Sequence, residues 1–189
     1  MNQQHLELCS SDEWAEAIQR WIIPWVLEDL DPGDDVLEVG PGPGRTTDVL
    51  AVSVSHLTAA EIDPDLAAAL AQRMASAGVE VVEADGTALP FTPGRFSAVL
   101  SFTMLHHLSS AGAQDRLFAE AKRVLRPGGF FAGNDSVDGE DFRALHVDDI
   151  CVPVDPNELP DRLTGAGFER VQVDVNEYGF RFRGFVSEA

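Results

Sequence analysis

The sequence predicts an α/β fold built on a doubly wound, mostly parallel sheet. Three observations carry that expectation. From Val36 onward, short aliphatic or β-branched runs alternate with longer helix-like segments. The runs "VLEV" and "AVLSF" are apolar almost throughout, as in strands covered on both faces. The last forty residues change pattern and alternate apolar with polar, which signals an antiparallel pair.

Taken in order, the segment from Ser10 to Leu30 reads as two helices with Ser10 or Ser11 as N-cap. Trp14, Ile18, Trp21 and Trp25 recur along it at helical spacing and read as a core-packing stripe. "DVLEVG" is the first strand, "RTTDVLAVSV" a helix, "HLTAAEI" the second strand, and "PDLAAALAQRMASAG" an Ala-rich helix stopped by glycine. "VEVVEAD" and "FSAVLSF" are strands three and four. "GAQDRLFAEAKRVLRPGG" is a helix and its stop, and "FFAGNDSV" is strand five. "PNELPDRLTGAGF" then forms a helix, and "ERVQVDV" and "FRFRGFV" form a hairpin around "NEYG". The expected architecture is a sheet of about seven strands with helices on both faces, in one domain of 1–189. Residues 1–33 would be a helical cap, 34–137 the core, and 138–189 a substrate loop, last helix and closing hairpin.

Composition narrows the partners. Thirteen Lys and Arg face 32 Asp and Glu, a net charge of -19, and Lys122 is the only lysine. Nucleic-acid affinity comes largely from neutralising phosphates with basic side chains, so a nucleic-acid partner is not expected. Acidity that serves solubility accounts for the charge as well as a preference for cationic substrates does. Cys9 and Cys151 lie far apart with no zinc-type spacing, which fits a reducing cytoplasm. The apolar run "WIIPWVL" is too short to span a bilayer, so no membrane insertion or export signal is expected. Monomer and homodimer both stay open.

The stretch "VLEVGPGPGRTT" is the turn after the first strand, where open α/β sheets place ligands. It has no lysine, so it is not a Walker A loop. A dinucleotide loop G-x-G-x-x-G would need a third glycine where Arg45 or Thr47 stands. Pro41 and Pro43 each remove a backbone N–H, which a polyanion would use. The loop suits a ligand without phosphates that approaches the backbone closely, with a carboxylate near the helix start.

"EVGPGPG" resembles the first motif, [DE]-x-G-x-G-x-G, of class I S-adenosylmethionine-dependent methyltransferases. Further motifs match from about Val36 to Val137: "ADGTALPF", "GRFSAVLSFTMLHHL" and "AEAKRVLRPGGFF". Ser97 departs from the family, where an Asp is common. The resemblance is closest to the ubiquinone/menaquinone-biosynthesis-like, small-molecule branch. It implies a Rossmann-like fold, S-adenosyl-L-methionine as cofactor with S-adenosyl-L-homocysteine as product, and a small-molecule methyl acceptor (the EC 2.1.1 class).

The resemblance also implies a binding set. Glu61, 21 residues after Gly40 at the end of strand two, would accept from the ribose hydroxyls. Asp63 competes for this role but reads as the N-cap before Pro64. Asp85 would accept from the adenine amino group. Glu38 would receive the methionine ammonium, and Gly40, Gly42 and Gly44 would let the backbone approach. Ile62, Gly86, Ser101 and Phe102 complete the set. Each acid also has a plain reading as a turn or strand-end residue.

Catalytic candidates are few, because the cofactor carries an already activated methyl group. His106 and His107, after strand four, could take a proton from a hydroxyl. A packing role competes, since the sequence pairs them with no evident orienting acid. Two adjacent histidines do not make a metal site, which needs three or four convergent ligands, so no metal is expected. Asn134, Asp135 and the segment 138–156 are candidates for lining the acceptor pocket. A non-catalytic module that binds S-adenosylmethionine is the alternative, with a nicotinamide-dependent oxidoreductase behind it.

Overall fold

The computed structural model describes residues 1–188. Its centre is a seven-stranded sheet in the order β3-β2-β1-β4-β5-β7-β6. The strands are β1 (Asp35–Val39), β2 (His56–Glu61), β3 (Glu80–Glu83), β4 (Phe96–Phe102), β5 (Leu125–Asp135), β6 (Glu169–Asn176) and β7 (Gly179–Phe185). β1 to β5 pair in parallel, whereas β7 pairs antiparallel with both β5 and β6. The order reverses between β1 and β4, and that switch point opens the crevice in which such sheets bind ligands.

The apolar runs of β1 and β4 are explained by burial on both faces. Leu37 and Val39 point into a core with Leu117 and Phe118 of α6 (Ala111–Val124). Val36 points the other way, into a core with Ile18, Val26 and Leu50. The second core is built from α2 (Asp12–Ala17), a π-helical turn over Ile18–Ile22, α3 (Ile23–Val26) and α4 (Arg45–Leu50). Capping follows the sequence signals. Ser11 Oγ accepts from Trp14 N to start α2, and Asp63 Oδ1 accepts from Asp65 N and Leu66 N to start α5 (Pro64–Met74).

Several elements differ from the sequence reading. The expected stripe forms in part: Ile18 is buried and Trp14 packs against the core, but Trp21 is 72% exposed, because the π-helical turn shifts the angular phase of the residues after Ala17. Val26 takes a buried position in its place. A further helix, α1 (Gln3–Ser10), precedes the expected pair, capped by Asn2. α4 stops at Leu50, and β5 begins at Leu125, so that "RPGG" forms an irregularity inside the strand, with Gly128 at φ 76°. One more helix, α7 (Glu140–Leu145), lies in the expected substrate loop, and α8 (Leu159–Gly165) is the expected last helix. The hairpin forms as expected, with Asn176 opposite Gly179. Ser97, the departure from the family pattern, still joins β4 to β1. Its Oγ accepts from Asp35 N at 3.2 Å and lies 2.8 Å from Asp35 O.

β4 and β5 are so close at Gly133 that a Cβ there would fall 1.9 Å from Ser101 O, with Phe182 closing the other side at 2.8 Å. A backbone carbonyl in a central strand has nowhere to move. Gly133→Ala is expected to lower the unfolding free energy on the order of 3 kcal/mol, read by urea denaturation. A variant as stable as the parent would show that the two strands are not packed this tightly.

Candidate active site

Above the carboxyl ends of β1, β2 and β4 lies a cavity of about 300 Å³, at the lower end of the size range for small-molecule sites. Its floor is the glycine-proline loop. Gly40, Gly42 and Gly44 all adopt left-handed backbone, with φ of 70°, 55° and 81°. A Cβ on Gly40 would collide with Met104 Cγ at 2.2 Å, so this glycine admits the loop that follows β4.

The loop offers no backbone N–H to a ligand. Gly40 N donates to Ala60 O at 2.8 Å, Gly42 N to Glu61 Oε2 at 2.8 Å, and Gly44 N to Pro41 O at 2.9 Å. Pro41 and Pro43 have none to give. Every donor from 40 to 44 is therefore absent or used, which leaves a pyrophosphate only the N–H groups at the start of α4.

Glu61 is buried, with both oxygens on backbone: Oε2 on Gly42 N and Oε1 on Asp63 N at 3.0 Å. Each carboxylate oxygen keeps a second lone pair, and Glu61 lines the cavity. Asp85 lines it too; it is exposed, and its Oδ1 accepts from Thr87 N at 2.8 Å. Ile62, Gly86 and Phe102 also line it. Gly86 packs against Val39 and Leu117, each 2.9 Å from where a Cβ would stand.

Glu38, Ser101 and Gly44 do not line the cavity. Glu38 lies beneath the loop, fully buried, and accepts from Thr46 Oγ1 and, at 2.6 Å, from Thr47 Oγ1. Burial pushes its carboxyl up to about 7, against the opposing effect of the two threonine hydroxyls. Thr46 lines the cavity directly above it. Ser101 is buried within β4, its Oγ without a hydrogen-bond partner.

The two histidines part company. His107 lines the cavity, while His106 is 1% exposed and stands behind it. The expectation that no acid orients them does not hold for His106: Asp135 Oδ1 lies 2.5 Å from its Nδ1, and Asp135 Oδ2 accepts from its backbone N at 3.1 Å. Sequence reading missed the pairing because 29 residues separate the partners, and only the parallel β4–β5 register brings them together. Nor do the histidines stand apart from further ligands, because His5 and His146 pack beside them. Burial and the neighbouring imidazoles push His107 down to about 3 and His5 to about 4, so both are neutral at pH 7.

Other residues complete the site from the two segments expected as a cap and a substrate loop, none of them singled out individually as a site residue by the sequence. Met1, Cys9, Trp14 and Ile18 from the N-terminal helices and Asp149 and Ile150 after α7 close the cavity from above. Thr103 holds a left-handed φ of 46° where the chain leaves β4, and its N donates to Asn134 O at 2.9 Å. This strained turn is what carries Met104 against Gly40, His107 to the cavity wall and His106 behind it.

A sheet reversed at this point, with two acids on its strand ends and a donor-free glycine loop, is the arrangement of an S-adenosylmethionine-dependent methyltransferase fold. Comparison with known proteins agrees: the family described as "Methyltransferase domain" matches residues 37–133, just over half of the chain, and the chain belongs to it. Sterol methyltransferase-like 1 of Botryococcus braunii is 30% identical over 148 residues, 73% of this chain and 37% of its own length. Ribosomal RNA small subunit methyltransferase A of Methylibium petroleiphilum is 37% identical over 113 residues, 52% of this chain and 43% of its own. The chain thus spans less than half the length of these curated relatives. Among solved structures, a SAM-dependent methyltransferase from Aquifex aeolicus superposes with a TM-score of 0.77 at 19% identity, covering 98% of this chain and 99% of that one. S-adenosylmethionine is the cofactor of the family, and the cavity's acids and donor-free floor fit it.

The raised Glu38 carboxyl links stability to pH. A carboxyl whose folded pKa lies above its unfolded value favours the fold when protonated. The contribution is present below 4.5 and lost as pH rises toward about 7. Relative to Glu38→Gln, which stays neutral throughout, the wild type is expected to lose on the order of 3 kcal/mol across that window. Denaturation of both proteins at pH 4.5 and pH 8 measures the difference; curves that keep a constant offset would mean the carboxyl is not held protonated.

Proposed function

We propose that the chain transfers a methyl group from S-adenosylmethionine to a small, largely apolar acceptor. The observation that carries this reading is the cavity itself. Two strand-end carboxylates, Glu61 and Asp85, line it over a loop whose N–H groups are used, and most of the remaining wall is apolar. In this reading Glu61 accepts from the ribose hydroxyls, Asp85 from the adenine amino group, and Ile62, Gly86 and Phe102 frame the ring. Gly40, Gly42 and Gly44 let the methionine end approach, and Glu38 acts from beneath through Thr46. A cationic ammonium above the loop would favour the charged form of Glu38 and draw its pKa down.

When bound, the sulfonium supplies an activated methyl group. The protein's part is to align the acceptor in line with it and to exclude water. The helices of 1–33 serve as the cap, and 138–156 contributes the acceptor wall through Asp149 and Ile150. His107 is the member of the histidine pair placed to contact an acceptor. A neutral imidazole with so low a pKa is a weak base, and its ring suits walling an acceptor better than taking its proton. His106, behind it, acts through Asp135 as a positioning residue.

The small-molecule reading draws support from the charge. A surface of net charge -19 opposes an RNA phosphate backbone, whatever the ribosomal RNA relative acts on. The sterol relative's name and the largely apolar walls favour a lipid-like acceptor, in keeping with the motif resemblance to the ubiquinone/menaquinone-like branch. The competing reading, a module that binds the cofactor without transfer, is kept because fold alone does not establish catalysis.

Incubation with methyl-labelled S-adenosylmethionine and a panel of quinols, sterols and phenols tests the activity. Label in an acceptor is expected; cofactor binding with no labelled product across the panel favours the binding module. Glu61→Ala is expected to weaken S-adenosylhomocysteine binding by about 1–3 kcal/mol, read by calorimetric titration. Unchanged affinity would show that another group holds the ribose.

A further inference from the structure

Four of the chain's five histidines meet at one place. One ring nitrogen from each of His5, His106, His107 and His146 lies within 4.8 Å of the other three. They come from α1, from the turn after β4, and from the residue that ends α7, three stretches far apart in sequence. Phe142 walls the cluster, its ring centroid 4.9 Å from that of His106 and 4.5 Å from that of His146.

The nitrogens divide into two kinds. His5 Nδ1 and the Nε2 atoms of His106, His107 and His146 are buried without a hydrogen-bond partner. A buried polar atom left unpaired costs about 1–3 kcal/mol, and four at one spot need a common partner. On the far side of the rings, His106 Nδ1 donates to Asp135 Oδ1 at 2.5 Å and His146 Nδ1 to Phe142 O at 2.6 Å, while Asp149 Oδ2 lies 4.0 Å from His107 Nδ1. Such outer contacts fix the tautomer that leaves the Nε2 lone pair free, as they do for metal-ligating imidazoles.

We propose that His5, His106, His107 and His146 bind one divalent first-row transition metal ion of the zinc class. Four imidazoles this close cannot all carry charge, and neutral imidazole is the ligating form. An all-nitrogen set suits zinc, copper, nickel or iron and disfavours calcium and magnesium, which take oxygen ligands. Tetrahedral coordination at zinc–nitrogen lengths brings the donors to about 3.4 Å apart, so binding draws the rings together. The carboxylates of Asp135 and Asp149 offset the ion's charge from the outer shell.

Four protein ligands fill a tetrahedral ion and leave no position for substrate, which marks a clasp rather than a Lewis acid. The clasp fastens α1 and the end of α7 to the turn after β4. Those segments carry Met1, Cys9, Asp149 and Ile150 of the cavity roof. Hydrogen bonds already join them: Asn2 Nδ2 donates to Leu145 O at 2.8 Å, and Asn2 N to Asp149 Oδ2 at 2.8 Å. The ion would hold the roof closed, and it does so whatever the acceptor is.

The test uses untagged, chelator-stripped full chain titrated with Co²⁺ and Zn²⁺, without cofactor. One equivalent is expected to bind, with the visible absorption of tetrahedral Co²⁺ and a rise in melting temperature. His56→Ala, at an exposed histidine outside the cluster, is expected to bind as the parent does. His5→Ala and His146→Ala, checked as folded by circular dichroism, are expected to lose the Co²⁺ spectrum. Asp135→Asn is expected to weaken binding by about 10- to 100-fold. Stoichiometric uptake that both histidine variants retain would overturn the proposal, as would a parent that takes up no stoichiometric metal; the second result needs no variant.

Discussion

Glu61 bridges the turn after β1 to the end of β2, and the site depends on that bridge. Its two oxygens accept from Gly42 N and Asp63 N, so one buried carboxylate fixes both the glycine loop and the start of α5. With Gly42 N tied down, and Gly40 N and Gly44 N bonded to carbonyls, the loop has a fixed shape and a floor without donors. The same acid then faces the cavity with lone pairs to spare. One side chain thus holds the loop's shape, and the proposed ribose contact would add recognition to that role.

Beneath the loop, Glu38 meets a different constraint. Alternation along β1 sends Val36 and Glu38 to one face and Leu37 and Val39 to the other. An acid is thereby carried into the core under α4, where only Thr46 and Thr47 answer it. Two neutral hydroxyls do not repay the burial of a charge, and the carboxyl stays protonated to near neutrality. The site thus holds a latent negative charge below its floor and open carboxylates at its rim.

Much of this was legible in the sequence, for local reasons. Strand period, glycine stops and the Asp63 and Ser11 caps act over a few residues, and the fold follows from them. The rim acids were legible because a strand end determines where a side chain sits. What sequence left hidden is what depends on packing over distance. The π-helical turn at Ile18–Ile22 moves Trp21 to solvent with no composition signal. Asp135 reaches His106 only through sheet register, and His5 and His146 join the pair only once α1 and α7 fold over the cavity.

The loop's missing and consumed donors disfavour a pyrophosphate-bearing ligand. Parallel calorimetric titration of the wild-type protein with S-adenosylhomocysteine and with NAD⁺ tests it directly. One-to-one binding of S-adenosylhomocysteine and no detectable heat with NAD⁺ are expected. Tight NAD⁺ binding without S-adenosylhomocysteine binding would contradict it.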